Sequence, residues 1–448
     1  MQQDKVALDK ALLRWKAQKM RLKGWSYDSQ VEQVALEKSN GPHWCSPSEY
    51  LDGEWLMREE EVTLENIREI YKYEDLGQLK CRAVDEPRGV EPDPEDPAAW
   101  ARIFETAQYV WVPKSGSVDL YAQGSSELIF PSSHCYSVVG DSLADQIYTA
   151  TWSSMIAKKD SLFELHASPE RIFNITVNRN HPDAQRLAEA AGVTMERLDR
   201  PIFNYWREHH LVNREDLDEA FVGCEGYEKW VGGASQEESM WIWDRSWWYE
   251  LWNSLLDQAI EFVPRSKDGL VPIEENSVIS FSTGPHWTPV ELWPQHAAAR
   301  VTDEELFHGY TTAANRVIQN VTAAAQEHKV LAWWRSSTAA HPQCTQYSQP
   351  ESDRTTHHST LHPTAKEFNW DQFAVFDNHV ATKLEQEPDA AMQFMNLWPL
   401  SVTRPDAHLK PSTDCMHFCN PGVPNEWLEF MWHSMVLGAE NDDYDELP

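Results

Sequence analysis

The residues best suited to do chemistry are a serine at the end of an apolar run and a histidine three residues after an aspartate near the far end of the chain. The serine lies in Val139-Gly140-Asp141-Ser142-Leu143, after the short apolar run that starts at Cys135. Gly140 permits a tight turn there, which puts Ser142 in the first turn of a helix. In that turn, N–H groups without intrahelical acceptors can hold an oxyanion. Taken alone, Gly-Asp-Ser is common by chance and is more often a plain turn with an N-cap. The histidine lies in Asp414-Cys415-Met416-His417. The three-residue spacing lets one turn point both side chains the same way, so that the carboxylate orients the imidazole and stabilises its cation. A serine hydroxyl is a poor nucleophile at neutral pH and needs such a base. Ser142, His417 and Asp414 therefore supply the nucleophile, base and orienting acid of an acyl-transfer triad.

Longer segments carry a resemblance. The run Asp414-Cys-Met-His417-Phe-Cys419-Asn-Pro-Gly422-Val-Pro-Asn-Glu-Trp427 resembles the DCxHWCxPGxPDxW signature of the PC-esterase family. That family includes the plant trichome-birefringence-like polysaccharide O-acetyltransferases. Leu51-Asp-Gly-Glu-Trp55 is similar to its DGxW element, Tyr109-Val-Trp-Val-Pro113 to its WxP stretch, and Gly140-Asp-Ser-Leu143 to its catalytic serine block. Tyr205-Trp-Arg207 with Leu211-Val212 is similar to FYRSPxLV, Val330 to Ser337 to FRTxSP, and Arg404-Pro-Asp-Ala-His408 to RxDAHP. One block departs: Ser282-Thr-Gly284-Pro-His286-Trp287 stands where the family has Asn-Thr-Gly-His-Trp. The asparagine that SGNH enzymes use as an oxyanion donor is thus replaced by serine, whose hydroxyl has a shorter reach than an amide.

The resemblance implies acetyl transfer to a sugar hydroxyl through an acetyl-serine, with acetyl-CoA or an acetylated carrier as donor and no bound cofactor. A carbohydrate acetyl-esterase would use the same triad, and a catalytically silent polysaccharide-binding protein is a third reading. The oxyanion candidates are the N–H of Ser142, Ser282, the N–H of Gly284, and Arg207. For Arg207 a salt bridge among acidic neighbours is an equal alternative. His286 and Trp287 are candidates to line the cleft. His408 is read as structural, and His357, His358 and His362 as a solvated loop, so no metal site is expected.

These residues need an α/β scaffold to bring them together. Helical spacing of Leu143, Ile147, Trp152 and Ile156 follows the serine. Strand-like runs at Ser277–Ser282 and Lys329–Trp334 alternate with helix-like patterns at Trp243–Phe262 and Thr302–His328. Such alternation predicts an SGNH-hydrolase-like, mainly parallel sheet with helices on both faces and an N-terminal accessory lobe. The expected segments are a basic, stem-like helix over 1–42, an accessory and acidic linker part over 43–98, and a catalytic domain over 99–448 with an insertion at about 342–363. The segment Trp241 to Trp252 is too dense in tryptophan for one amphipathic stripe. It offers either core filling or a sugar-stacking platform built on Trp243 and Trp247 with Trp287.

The formal net charge of −33, from 71 acidic and 38 basic residues, argues against nucleic acid as a partner. A polysaccharide or oligosaccharide acceptor is expected instead. No stretch has the length of a membrane helix, so a membrane tether would lie beyond this chain. Seven cysteines without paired CxxC spacing fit two or three disulfides with one left over. Cys415 and Cys419 should each be joined to a different partner. With the sequons at Asn174 and Asn320, these cysteines point to the Golgi lumen or another secretory compartment.

Overall fold

A computed structural model describes residues 50–63, 65–71, 81, 97–113, 136–156, 162–168, 172–191, 193–222, 247–257, 277–293, 301–328, 330–352, 369–387, 392–410 and 414–441. The basic segment over 1–42, Trp243 and the three histidines of the 342–363 insertion lie outside these residues.

Two strands, β1 (Gly53–Met57) and β2 (Tyr109–Pro113), pair antiparallel and are linked through a stretch that includes α1 (Pro97–Ala107). The serine strand β3 (Tyr136–Gly140) follows and leads directly into α2 (Ser142–Ile156). Next come β4 (Phe163–Ala167), β5 (Ile172–Val177), β6 (Phe203–Arg207), α3 (Arg214–Ala220) and α4 (Trp247–Leu256). Then β7 (Ser277–Phe281), α5 (Asp303–Glu327), β8 (Val330–Arg335), α6 (Phe373–Gln386) and β9 (Met392–Met395) complete the strand and helix alternation. The chain closes with the two-stranded ribbon β10 (His408–Lys410) and β11 (Asp414–Phe418), and with α7 (Val423–Asn441).

The main sheet has seven strands in the order β4-β5-β6-β3-β7-β8-β9. The five from β6 to β9 run parallel, while β4 and β5 add an antiparallel edge. Every residue of β3 and β7 is buried, as expected for parallel strands covered on both faces. One face packs against α2 and α7 through Tyr136, Val138, Phe203, Leu143, Trp427 and Trp432. The other packs against α4, α5 and α6 through Val139, Phe281, Trp334, Trp252, Tyr310 and Phe376. Helices thus cover both faces, and β3 lies where the connections diverge to either side. Sites in open α/β sheets form at the carboxyl edge of such a strand.

Helix α5 begins and ends as its sequence dictates. Thr302 accepts from the Glu305 N–H and Glu305 reaches back, a capping box that satisfies two orphan donors. The β1–β2 pair is fastened to the C-terminal region by a buried arginine and by the Trp55 indole N–H, which donates to the Leu400 carbonyl at 3.2 Å. Arg404 makes paired bonds with Asp406, donates to the Thr106 carbonyl, and lies 4.3 Å from the centre of the Trp55 ring. This assigns Arg404-Pro-Asp-Ala-His408 a tethering role, with every charge in it paired. Among the described residues, no helix is long and apolar enough to cross a membrane.

Candidate active site

The nucleophile turn is set by close packing. Gly140 has φ +150°, and a Cβ there would come 2.8 Å from the Ser282 carbonyl oxygen and 3.3 Å from Ser282 Oγ. Only glycine tolerates both demands. The turn is then locked: the Gly140 carbonyl accepts from Glu208 N–H at 2.8 Å, and the Tyr205 hydroxyl donates to the Asp141 carbonyl at 2.9 Å. Asp141 Oδ1 accepts the Leu143 N–H at 2.8 Å. Ser142 is the first residue of α2, so its own N–H has no acceptor inside the helix.

The DxxH segment is a strand and not a helical turn, which corrects the expectation from spacing. Asp414 compensates by folding its carboxylate back along β11. Its Oδ1 accepts from the N–H groups of Met416 and His417, both at 3.0 Å. This brings Oδ2 to 2.8 Å from His417 Nδ1. A carboxylate can only accept from the ring, so Nδ1 carries the proton. The other nitrogen, Nε2, then faces Ser142 Oγ at 2.6 Å with a lone pair ready for the hydroxyl proton. All three groups are thus in hydrogen-bonded sequence, across 275 residues between Ser142 and His417.

Electrostatics favour the same arrangement. Burial opposes ionisation of Asp414, but the His417 ring and the two main-chain donors outweigh it and hold the carboxyl at about 2. Burial also opposes the His417 cation, yet Asp414, Asp141 and Asp145 prevail and raise its pKa above the ordinary value. A proton taken up by His417 would therefore be stabilised where it arrives.

Residues 271–434 match the model of the PC-Esterase family, described as a GDSL/SGNH-like acyl-esterase family found in Pmr5 and Cas1p. Over these residues the chain is similar to the PC-esterase family. The match takes in β7, β8, β9, Asp414 and His417, whereas Ser142 precedes it. Hydrogen bonding of β3 to β7 places the serine strand in the same sheet as the PC-esterase segment.

Around this centre the other candidate residues fall into three groups. Arg207 and Ser282 flank the serine turn on opposite sides, because Gly140 is in register with Arg207 and Ser282 follows β7. Gly284 is buried on the same edge, where a Cβ would meet Ser337 Oγ at 2.5 Å. His286 is bonded to Glu291 at 2.6 Å and stacks on His209, ring centres 3.6 Å apart.

Trp287 requires a correction. It is fully buried, its indole N–H donates to Thr283 Oγ1 at 2.8 Å, and it packs edge-on against Tyr310. A ring enclosed in this way offers no face to a sugar. Trp248 and Trp252 are likewise buried against the sheet, so that side of α4 fills core. Trp247 begins the same helix.

His209, His286 and Glu291 have potential ligand atoms within 4.8 Å of one another. The stacked rings, with planes only 22° apart, direct their in-plane lone pairs side by side and not toward a common point. Next to them, burial, aided by His286, pushes His210 down to about 4, so its neutral ring donates from Nε2 to the His286 carbonyl.

Sequence reasoning missed Gln146 and His341. Gln146 lies one turn after Ser142 on the same face of α2, the spacing that could have revealed it. Its amide bonds the main chain of Phe418 at both ends, Nε2 donating to O at 2.6 Å and Oε1 accepting from N at 3.2 Å. That clamp joins the serine helix to the histidine strand.

Two disulfides fix the same strand. Cys81 joins Cys419, and Cys344 joins Cys415, so the two cysteines around His417 do have different partners.

Proposed function

We propose that the protein is a polysaccharide O-acetyltransferase that moves an acetyl group to a sugar hydroxyl through an acetyl-serine. The observation that carries an acyl-enzyme mechanism is the continuous run from Asp414 Oδ2 through His417 to Ser142 Oγ, with contacts of 2.8 and 2.6 Å. Ser142 Oγ attacks the acetyl carbonyl while His417 Nε2 takes its proton. The oxyanion develops at the start of α2, where the Ser142 N–H faces it and where Arg207, Ser282 and Gly284 are further donors to test. The imidazolium then protonates the departing donor group. In the second half the sugar hydroxyl gives its proton to His417 and attacks the acetyl-serine, which frees Ser142.

Transfer is preferred over hydrolysis because the chain's motifs resemble those of the trichome-birefringence-like enzymes and follow them in order. The acetyl donor is acetyl-CoA or an acetylated carrier. The two disulfides support the Golgi lumen or another oxidising compartment as the place of work.

The test follows acetate and acetylated oligosaccharide separately, with an acetyl donor and with or without an oligosaccharide acceptor. Acceptor-dependent product supports the transferase. Acetate released at the same rate with and without acceptor, and no acetylated sugar, makes the protein an esterase with the same triad. Neither acetate nor product would leave a silent polysaccharide-binding protein.

A further inference from the structure

Behind the DxxH strand two imidazoles are sealed from solvent. His341 and His408 are both fully buried. His408 Nδ1 lies 3.0 Å from the carbonyl oxygen of His417, and its Nε2 lies 2.6 Å from His341 Nδ1. His341 Nε2 is in turn 2.9 Å from the Val402 carbonyl oxygen. The row is thus carbonyl, ring, ring, carbonyl.

Counting protons along this row gives a definite result. A carbonyl oxygen only accepts, so each end contact needs a hydrogen on the ring nitrogen. Two nitrogens 2.6 Å apart need a hydrogen between them, since two facing lone pairs repel. Three contacts therefore use three ring protons, whereas two neutral imidazoles bring one each. The row closes only with one proton more than neutrality, and hence one positive charge.

We infer that His341 is a buried imidazolium that, through a neutral His408, fixes the main chain of His417 and so positions the catalytic base. The charge belongs on His341 because Arg102 already donates to the His408 carbonyl at 3.3 Å, which disfavours a second cation there. Burial foremost pushes His408 down to about 3, which agrees. His341 also reaches β11 by its main chain, its N–H donating to the Cys415 carbonyl at 3.0 Å, and Cys344 nearby is bonded to Cys415. Phe418 stacks on His408 with ring centres 4.5 Å apart and limits the rotation of that ring. His341 is a positioning residue and touches no reacting atom.

The part of this inference that concerns catalysis rests on the triad reading, whereas the protonation state does not. Nitrogen-15 histidine spectra of the whole protein at neutral pH read the charge directly. Both ring nitrogens of His341 should carry hydrogen, and His408 should show one protonated and one bare nitrogen. A bare nitrogen on His341 overturns the imidazolium. Positioning is read from the rate at which a fluorophosphonate labels Ser142, a reaction that needs the serine and histidine pair but no carbohydrate. His341→Leu should slow labelling about 100-fold, the scale of a misplaced catalytic group. His341→Lys, a cation with donors only, should recover about tenfold of that loss. Equal slowing in both variants, or none in either, overturns the positioning role. Failure of the unaltered protein to label at all would sink the triad reading instead, and the spectra would still decide the charge on His341.

Discussion

Ser142 stands just beyond the end of a strand hydrogen-bonded on both sides within the sheet, whereas Asp414 and His417 stand on a two-stranded ribbon outside it. The serine turn is held by main-chain bonds, by the Tyr205 hydroxyl and the Asp141 carboxylate, and by the lack of a side chain at Gly140. The histidine strand is held by two disulfides, the Gln146 clamp and the imidazole row. Only the first of these supports is local to the sheet. The difference teaches that Ser142 comes with the fold, while His417 must be brought to it by tethers from distant parts of the chain. Agents that cut tethers should therefore disable the base before they disturb the serine.

The largest effects come from removing either group. Ser142→Ala and His417→Ala should each lower kcat by about 10⁴-fold or more, and Ser142→Ala should leave the melting temperature unchanged, because its side chain does not hold up the core. Near-normal turnover in Ser142→Ala would abolish the comparison altogether. Asp414→Asn should lose less than His417→Ala, since the amide keeps its place but not its charge.

Reduction sharpens the contrast between the halves. Cys344→Ser or mild reductant should cost about 100-fold in kcat by loosening the ribbon around Asp414. The sheet's melting transition should move by no more than the ~2–4 kcal/mol a disulfide contributes. Equal loss of secondary structure and activity, followed together by circular dichroism and turnover, would show that the ribbon is not a separate unit.

On the sheet side, Gly140→Ala should destabilise by about 1–3 kcal/mol, the cost of a side chain at a left-handed φ. Denaturant unfolding measures it. A neutral result would mean that Ser282 can retreat from the turn.

The smallest expected effect is on pH dependence. His417 must be neutral to act, and its raised pKa places the acid limb of kcat above the ordinary histidine value of about 6.5. Asp414→Asn removes the chief support of the cation, so the limb should move to lower pH. For stability the signs differ between the partners. The depressed Asp414 contributes above its unfolded pKa of about 3.9 and loses that contribution as pH falls through about 2. The raised His417 contributes below its unfolded pKa and loses that contribution as pH rises through its folded one. A pH profile and a melting series separate the two.

Much of the sheet was legible because its signals are local. The apolar run before Gly140, the spacing after Ser142 and the helix-like pattern over Thr302–His328 all state their structure locally. Ser142, Asp414 and His417 could be singled out for the same reason, each lying in a short motif, and the structure brings their side chains into hydrogen-bonding sequence. What could not be read was set by contacts across hundreds of residues. Nothing near Cys419 names Cys81, and nothing near His417 names His341 or Gln146. Trp287 shows the opposite failure. An aromatic ring beside a candidate cleft residue looks like a platform, but its exposure is decided by Thr283, Phe221 and Tyr310, which close around it. The DxxH turn was misread because spacing alone does not tell a helical turn from a strand whose aspartate folds back.

The bond between Cys81 and Cys419 spans 338 residues of sequence, and this has a consequence for biosynthesis. Cys81 leaves the ribosome long before its partner is made. Throughout that interval it must be kept from pairing with Cys135, Cys224 or Cys344, all of which emerge earlier than Cys419. A nascent chain that oxidises in strict order of emergence would trap Cys81 wrongly, so correct maturation calls for a disulfide isomerase that can reopen early pairings. The yield of active protein from a host lacking such an isomerase would then be limited by thiol shuffling and not by the folding of the sheet.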